Sequence, residues 1–183
     1  MECSFDEAVR SRRSIRTYDG RDISDAVLTE LLDLARHAPT SMNGQACCFV
    51  TIRNRAIREE LAQIKNLHCP PEKRDYPADF LAEAPVIVAV CVERERSHGR
   101  EIENGVIASS FLLLAAASRG LSGVFLTAYN RNDPALEVDI RELLKLPDQI
   151  APVCLIPLGY PGATPASKPL RNLQEIVHHE RFA

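Results

Sequence analysis

No pair among the six cysteines, at 3, 47, 48, 69, 91 and 154, stands in a CxxC spacing. Neither a zinc knuckle nor a thioredoxin-like dithiol is therefore indicated. The GxSxG elbow of many hydrolases is missing, since Ser122-Gly123 lacks the flanking glycine pattern. No GxGxxG follows an apolar run and no GxxxxGK[ST] occurs, which removes the Rossmann dinucleotide loop and the P-loop. The five histidines do not fall at metal-ligand spacing. His178 and His179 are adjacent and point apart in a helix or strand, so no metal is assigned. A formal net charge of −3 is too balanced to argue for nucleic acid or an anionic membrane as partner. The first residues, Met1 to Glu7, are acidic and lack the basic-then-apolar pattern of a signal peptide. The longest apolar stretch, Gly105 to Ala117, is broken by Ser109 and Ser110 and falls short of the about 20 residues a bilayer span requires.

What remains is the expectation of a soluble, cytoplasmic protein of one domain, since 183 residues suffice for a sizeable core without disulfide stapling. Ser4, with Glu7 at the capping-box position, predicts a helix running to about Arg13. Ser24 caps a second helix to about His37, with Val27, Leu28, Leu31, Leu34 and Ala35 at helical spacing and Pro39 closing it. Cys47 to Arg53 is a short β-rich run, and Asn54 caps a helix to about Lys65. The stretch 66–79 reads as a loop or lid with a turn of helix. Ala84 to Val92 is apolar at nearly every position, as in a strand covered on both faces. Glu101 to Arg119 predicts a long helix, apolar nearly all round in its middle, which requires burial in a core or a subunit interface. Leu121 to Ala128 and Ile150 to Leu158 read as strands, with a helix between them over 134–146. About four strands and five helices intermix. The Pro-rich tail from Gly162 has no core of its own and must wrap over something.

Three polar groups stand out. Arg12-Arg13-Ser14-Ile15-Arg16 concentrates cationic donors with a hydroxyl, which suits a phosphate. The same arginines equally well complement the dipole at a helix C-terminus. The loop Ala38-Pro39-Thr40-Ser41-Met42-Asn43-Gly44-Gln45 offers amides and exposed backbone, which suits the edge of a flat polar ring. Lys168-Pro169-Leu170-Arg171 is a second basic group, in the tail. Charged residues at chain ends are usually solvated, yet a phosphate shared by both termini accounts for both clusters. Cys47-Cys48 could be reactive, but in a β-run one is expected to be buried and the other merely tolerated.

These segments, with RGLSGVFLTAYN at 119–130, LGYP at 158–161 and the closing KPLRNLQEIVHHERF, resemble the nitroreductase family of FMN-dependent oxidoreductases. The blocks recur in order over almost the whole chain. The resemblance implies an α+β fold, with a central mixed β-sheet flanked by helices, and an intertwined homodimer. FMN would lie at the interface, and the tail over 162–183 would extend across the partner subunit. Carried over by position, Arg12, Arg13 and Ser14 would hold the phosphate and ribityl end of FMN, closed by Lys168 and Arg171. Arg16 would lie at the pyrimidine side, where a cation stabilises the reduced ring. Thr40, Ser41 and Asn43 would line the ring from the partner's loop, Asn66 would bond its polar edge, and Leu126 and Thr127 would lie near N5.

Two departures from the family pattern stand out. Ala46-Cys47 follows Gln45 where Pro-Trp is common, and Leu170 replaces a frequent basic residue. The activity implied is ping-pong transfer of hydride from NADH or NADPH, through the flavin, to an electron-poor acceptor such as a nitroaromatic, a quinone or a free flavin. The alternatives are a specialised ene- or dehalogenating reductase and a flavin-binding protein with little turnover. No acid–base catalytic side chain is required, and none is assigned.

Overall fold

Residues 3–71, 75–164 and 167–182 are described by the computed structural model. Residues 72–74 of the expected loop and 165–166 and 183 of the expected tail lie outside the described residues. The first helix, α1 (Phe5–Ser11), begins with a full capping box. The Ser4 hydroxyl accepts from the Glu7 N–H at 3.3 Å, and the Glu7 carboxylate accepts from the Ser4 N–H at 2.7 Å. These bonds hold the Glu7 carboxyl below its usual range. The helix stops two residues earlier than expected, because Arg12 turns to extended backbone at φ −52°, ψ 126°. Ser24 caps α2 (Asp25–Arg36), which buries Leu28, Leu31 and Ala35. Asn54 caps α3 (Arg55–Leu67) through its side-chain oxygen. The loop after it ends in one turn, α4 (Phe80–Glu83).

The sheet is built on two strands, β2 (Val86–Glu93) and β5 (Ile150–Gly159), whose residues are buried on both faces. That is the reason for their unbroken apolar sequence. The edge strand β1 (Cys47–Ile52) pairs with β2. On the other side, β5 carries β3 (Ser122–Gly123) and β4 (Leu126–Thr127). Among the described residues every ladder pairing is antiparallel, and the sheet is mixed only through one parallel bridge, Ser14 to Gly123. The single strand expected over 121–128 is two short pieces in one register: Gly123 faces Leu158 and Leu126 faces Leu155. Continuing that register sets Val124 opposite Pro157, which has no N–H to donate, so the ladder breaks there.

Helix α5 (Glu101–Ser118) crosses the sheet, with α6 (Ala135–Leu144) and α3 on the opposite face. Gly105 lets α5 approach β5: a Cβ there would stand 2.5 Å from Val153. Ser109 donates to the Gly105 carbonyl at 2.6 Å and lies 2.9 Å from the Cys154 sulfur. The reading of α5 as wholly buried applies to one face. Val106, Ser110 and Phe111 are exposed in the single chain. Phe5 and Val9 of α1 are exposed too, as are Leu170, Leu173 and Phe182 of the tail.

Candidate functional site

Residues far apart in sequence converge on one cleft of about 870 Å³, bounded by the end of α3, α4, the β4 edge and the chain from 125 to 131. Four predicted residues line it: Arg16, Asn66, Leu126 and Thr127. Their convergence follows from the sheet. Leu126 and Thr127 sit on β5 through the ladder, and the bridge from Ser14 to Gly123 brings Arg16 alongside. Tyr18 locks that segment, its hydroxyl lying 3.2 Å from the Ile15 carbonyl and 3.3 Å from that of Pro157. Burial pushes this phenol up from its usual pKa. Gly159 makes room for the Tyr18 ring, since a Cβ there would lie 2.5 Å from it.

The cleft walls pair apolar rings with donors. Phe80, Phe125, Tyr76 and Tyr129 contribute rings, and the Arg16 guanidinium lies 5.9 Å from the Phe80 centroid. Lys65 donates to the Thr127 carbonyl at 2.7 Å. The Asn66 amide shapes the loop, donating to Asp79 and accepting from the Ala78 N–H, both at 2.7 Å. One N–H of that amide can still turn to a ligand. His68, which also lines the cleft, pairs with Asp139 at 2.6 Å. Lys65, Tyr76, Phe80, Phe125, Tyr129 and Arg131 were missed by the sequence reading. They stand singly in loops or at element ends, and only the fold brings them together.

A second hollow, of about 500 Å³, unites the two chain ends: Arg13 and Lys168 both line it, with Arg10, Asp6 and the apolar Phe5, Val9 and Leu170. Arg13 also donates to the Arg10 and Arg12 carbonyls at 2.6 and 3.0 Å, so it does cap α1 as the bland reading held. Arg12 is half-buried, and its side chain has no hydrogen bond or ion pair among the described residues. Ser14 is exposed. Arg171 lies outside the hollow and pairs with Glu175 at 3.5 Å.

Thr40, Ser41 and Asn43 line neither hollow. Their loop is fixed against the start of α5. The Ser41 N–H donates to the buried Asn104 side chain at 2.9 Å, and the Gln45 N–H to the Thr40 hydroxyl at 2.9 Å. Met42, Asn43 and Gln45 take left-handed backbone at φ 50°, 52° and 49°, a cost that a loop with a positional task tolerates. Gly44 backs directly onto the Arg96 carbonyl and leaves no room for a Cβ.

Cys47 and Cys48 are both half-buried, which corrects the expectation that one is buried and one tolerated. The Cys47 thiol lies 3.5 Å from the Asn104 carbonyl, and burial pushes it up to about 11. The Cys48 thiol is lowered by a hydrogen bond with Cys91, its partner across β1 and β2. No group of His, Cys, Asp and Glu among the described residues could hold a metal ion. No helix among them is long and apolar enough to cross a membrane.

Comparison with known proteins points one way. The profile of the Nitroreductase family matches residues 9–160. A Methanothermobacter thermautotrophicus protein, named by inference as an NADH dehydrogenase/NAD(P)H nitroreductase, is 33% identical over 178 residues, 96% of this chain and 86% of that protein. The FMN reductase [NAD(P)H] of Bacillus subtilis is 25% identical, over 95% of this chain and 72% of its own length. The crystal structure of a Parabacteroides distasonis protein, named like the first, superposes with a TM-score of 0.84 at 28% identity and covers 97% of this chain and 98% of its own.

Proposed function

This chain belongs to the nitroreductase family, and from that premise we propose that it binds FMN and carries electrons from NADH or NADPH to an electron-poor acceptor. The observation that carries the reading is the convergence of Arg16, Asn66, Leu126 and Thr127 on one cleft. Its volume, about 870 Å³, lies in the range of small-molecule sites, roughly 300–1,000 Å³. Its rings offer a flat ligand apolar contact, and its donors can fix that ligand's polar edge. The half-buried Arg12, without a partner among the described residues, fits the dianionic end of the same ligand.

When bound, FMN would supply the chemistry, accepting hydride from the nicotinamide and giving it up to the acceptor in alternation. The protein's residues bind and orient. Arg12 and Arg13, with Ser14, Lys168 and Arg171, would hold the phosphate end. Arg16 would stabilise negative charge on the pyrimidine side, Asn66 would hold the ring's polar edge, and the Leu126–Thr127 backbone would face its centre. Thr40, Ser41 and Asn43, which line neither hollow of their own chain, would serve the partner's flavin in a homodimer.

Purified protein should be yellow, and its visible flavin band should bleach when NADH or NADPH is added without oxygen. A colourless protein that cannot be reconstituted with FMN would refute the proposal. Arg12→Ala with Lys168→Ala should weaken FMN binding by roughly a hundredfold or more, at about 1.5–3 kcal/mol for each charged hydrogen bond lost. Circular dichroism should show the fold intact, and unchanged flavin occupancy would contradict the phosphate assignment.

A further inference from the structure

Beyond Arg16, which the flavin reading uses, the cleft carries two further cations. Arg16, Lys65 and Arg131 line it, and no Asp or Glu does among the described residues. Acids outnumber Lys and Arg by 25 to 22 in the whole chain, so composition alone favours the opposite sign. Carboxylates stand close by without lining it, and two of them are bonded to residues that do. Asp79 accepts from Asn66, Asp139 pairs with His68, and Asp133 accepts from the Ala135 N–H at 3.0 Å. Lys65 donates to the Thr127 carbonyl at 2.7 Å. Arg131 is exposed on the turn between β4 and α6, with no hydrogen bond or ion pair of its side chain among the described residues. Its turn is held by the Asn130 side chain, which accepts from the Asn132 N–H at 3.0 Å. Residues 39–45, the segment the dimer reading brings over the neighbouring site, carry no charge. That segment would leave the sign of the cleft unchanged.

We propose that this cleft selects acceptors carrying an anionic group, a carboxylate on a nitroaromatic or quinone ring, and that Arg131 is the residue that reads it. Tyr76, exposed at the cleft, offers the planar body an apolar face, and the Arg131 guanidinium, without a partner among the described residues, supplies a two-pronged donor matched to a carboxylate. The proposal rests on the FMN reading above. The phosphates of the nicotinamide donor offer the same anionic chemistry, so the experiment separates the two.

Flavin content of wild type and Arg131→Gln is read first, from the visible spectrum of FMN-saturated protein. Turnover is then measured with para-nitrobenzoate and with its neutral near-isostere para-nitrobenzamide at saturating NADH, and with NADH and NADPH varied against a neutral quinone. Arg131→Gln should raise KM for para-nitrobenzoate about tenfold, as expected for one charged hydrogen bond, and leave that for para-nitrobenzamide unchanged. Arg131→Lys should restore part of the loss, and added salt should weaken the wild-type preference. An equal effect on both acceptors, or an effect on the nicotinamides alone, would overturn the assignment. If wild type takes up no FMN, the function proposed above fails separately. Calorimetric titration of para-nitrobenzoate into that protein then decides this inference: binding lost in Arg131→Gln supports it, and no binding overturns it.

Discussion

Cys47 and Cys48 are neighbours in sequence with opposite environments. Cys47 is packed beside Asn104 and loses solvation, which disfavours its thiolate. Cys48 is stabilised as a thiolate by its bond with Cys91. Between these two, iodoacetamide should label Cys48 ahead of Cys47 at any given pH, with Cys47 reacting fully only as the pH approaches about 11. Tandem mass spectrometry of the shared peptide would check this, and equal labelling at neutral pH would contradict it. Nothing in the sequence distinguishes the two thiols. Arg12 and Arg13 make the same point: both looked equally fit for a phosphate or for a helix end, and only the geometry shows Arg13 on the α1 carbonyls and Arg12 without a partner among the described residues.

Among the elements, α1, α2 and α3 were legible because Ser4, Ser24 and Asn54 satisfy first-turn N–H groups, a local interaction that spacing reveals. Strands β2 and β5 were legible because burial on both faces demands apolar residues throughout. The division of 121–128 into β3 and β4 was not, because its cause, Pro157, stands on another strand. Close packing of α5 on β5 was equally hidden, since Gly105 lies mid-helix, where glycine is otherwise unfavourable. Gly105→Ala should drive a methyl group into Val153 and destabilise the protein by about 1–3 kcal/mol, read as a lower midpoint in urea. An unchanged or raised midpoint would show that Val153 yields, and that the helix propensity of alanine wins.

At the scale of the molecule, the exposed apolar residues on α1, on one face of α5 and along the tail are too many to leave in water. We propose that a second copy covers them. Sedimentation should give twice the chain mass. Phe111→Glu together with Val106→Glu should shift it toward the monomer and lower FMN occupancy with it. A wild-type monomer that still binds FMN would sink the two-chain site.

The sequence by itself determined the helices, the two central strands and the ordered blocks that tie the chain to its family. Each of these depends on local capping, on periodicity, or on residue types at fixed spacing. Tertiary structure alone decided which side chains meet. Arg16, Asn66 and the stretch that holds Leu126 and Arg131 come from three separate segments. They share one cleft because β5 pairs with the 122–127 stretch and the Ser14–Gly123 bridge draws the N-terminal segment alongside it. Long-range pairing of that kind follows from the packing of the whole chain and leaves no periodic trace in any one segment.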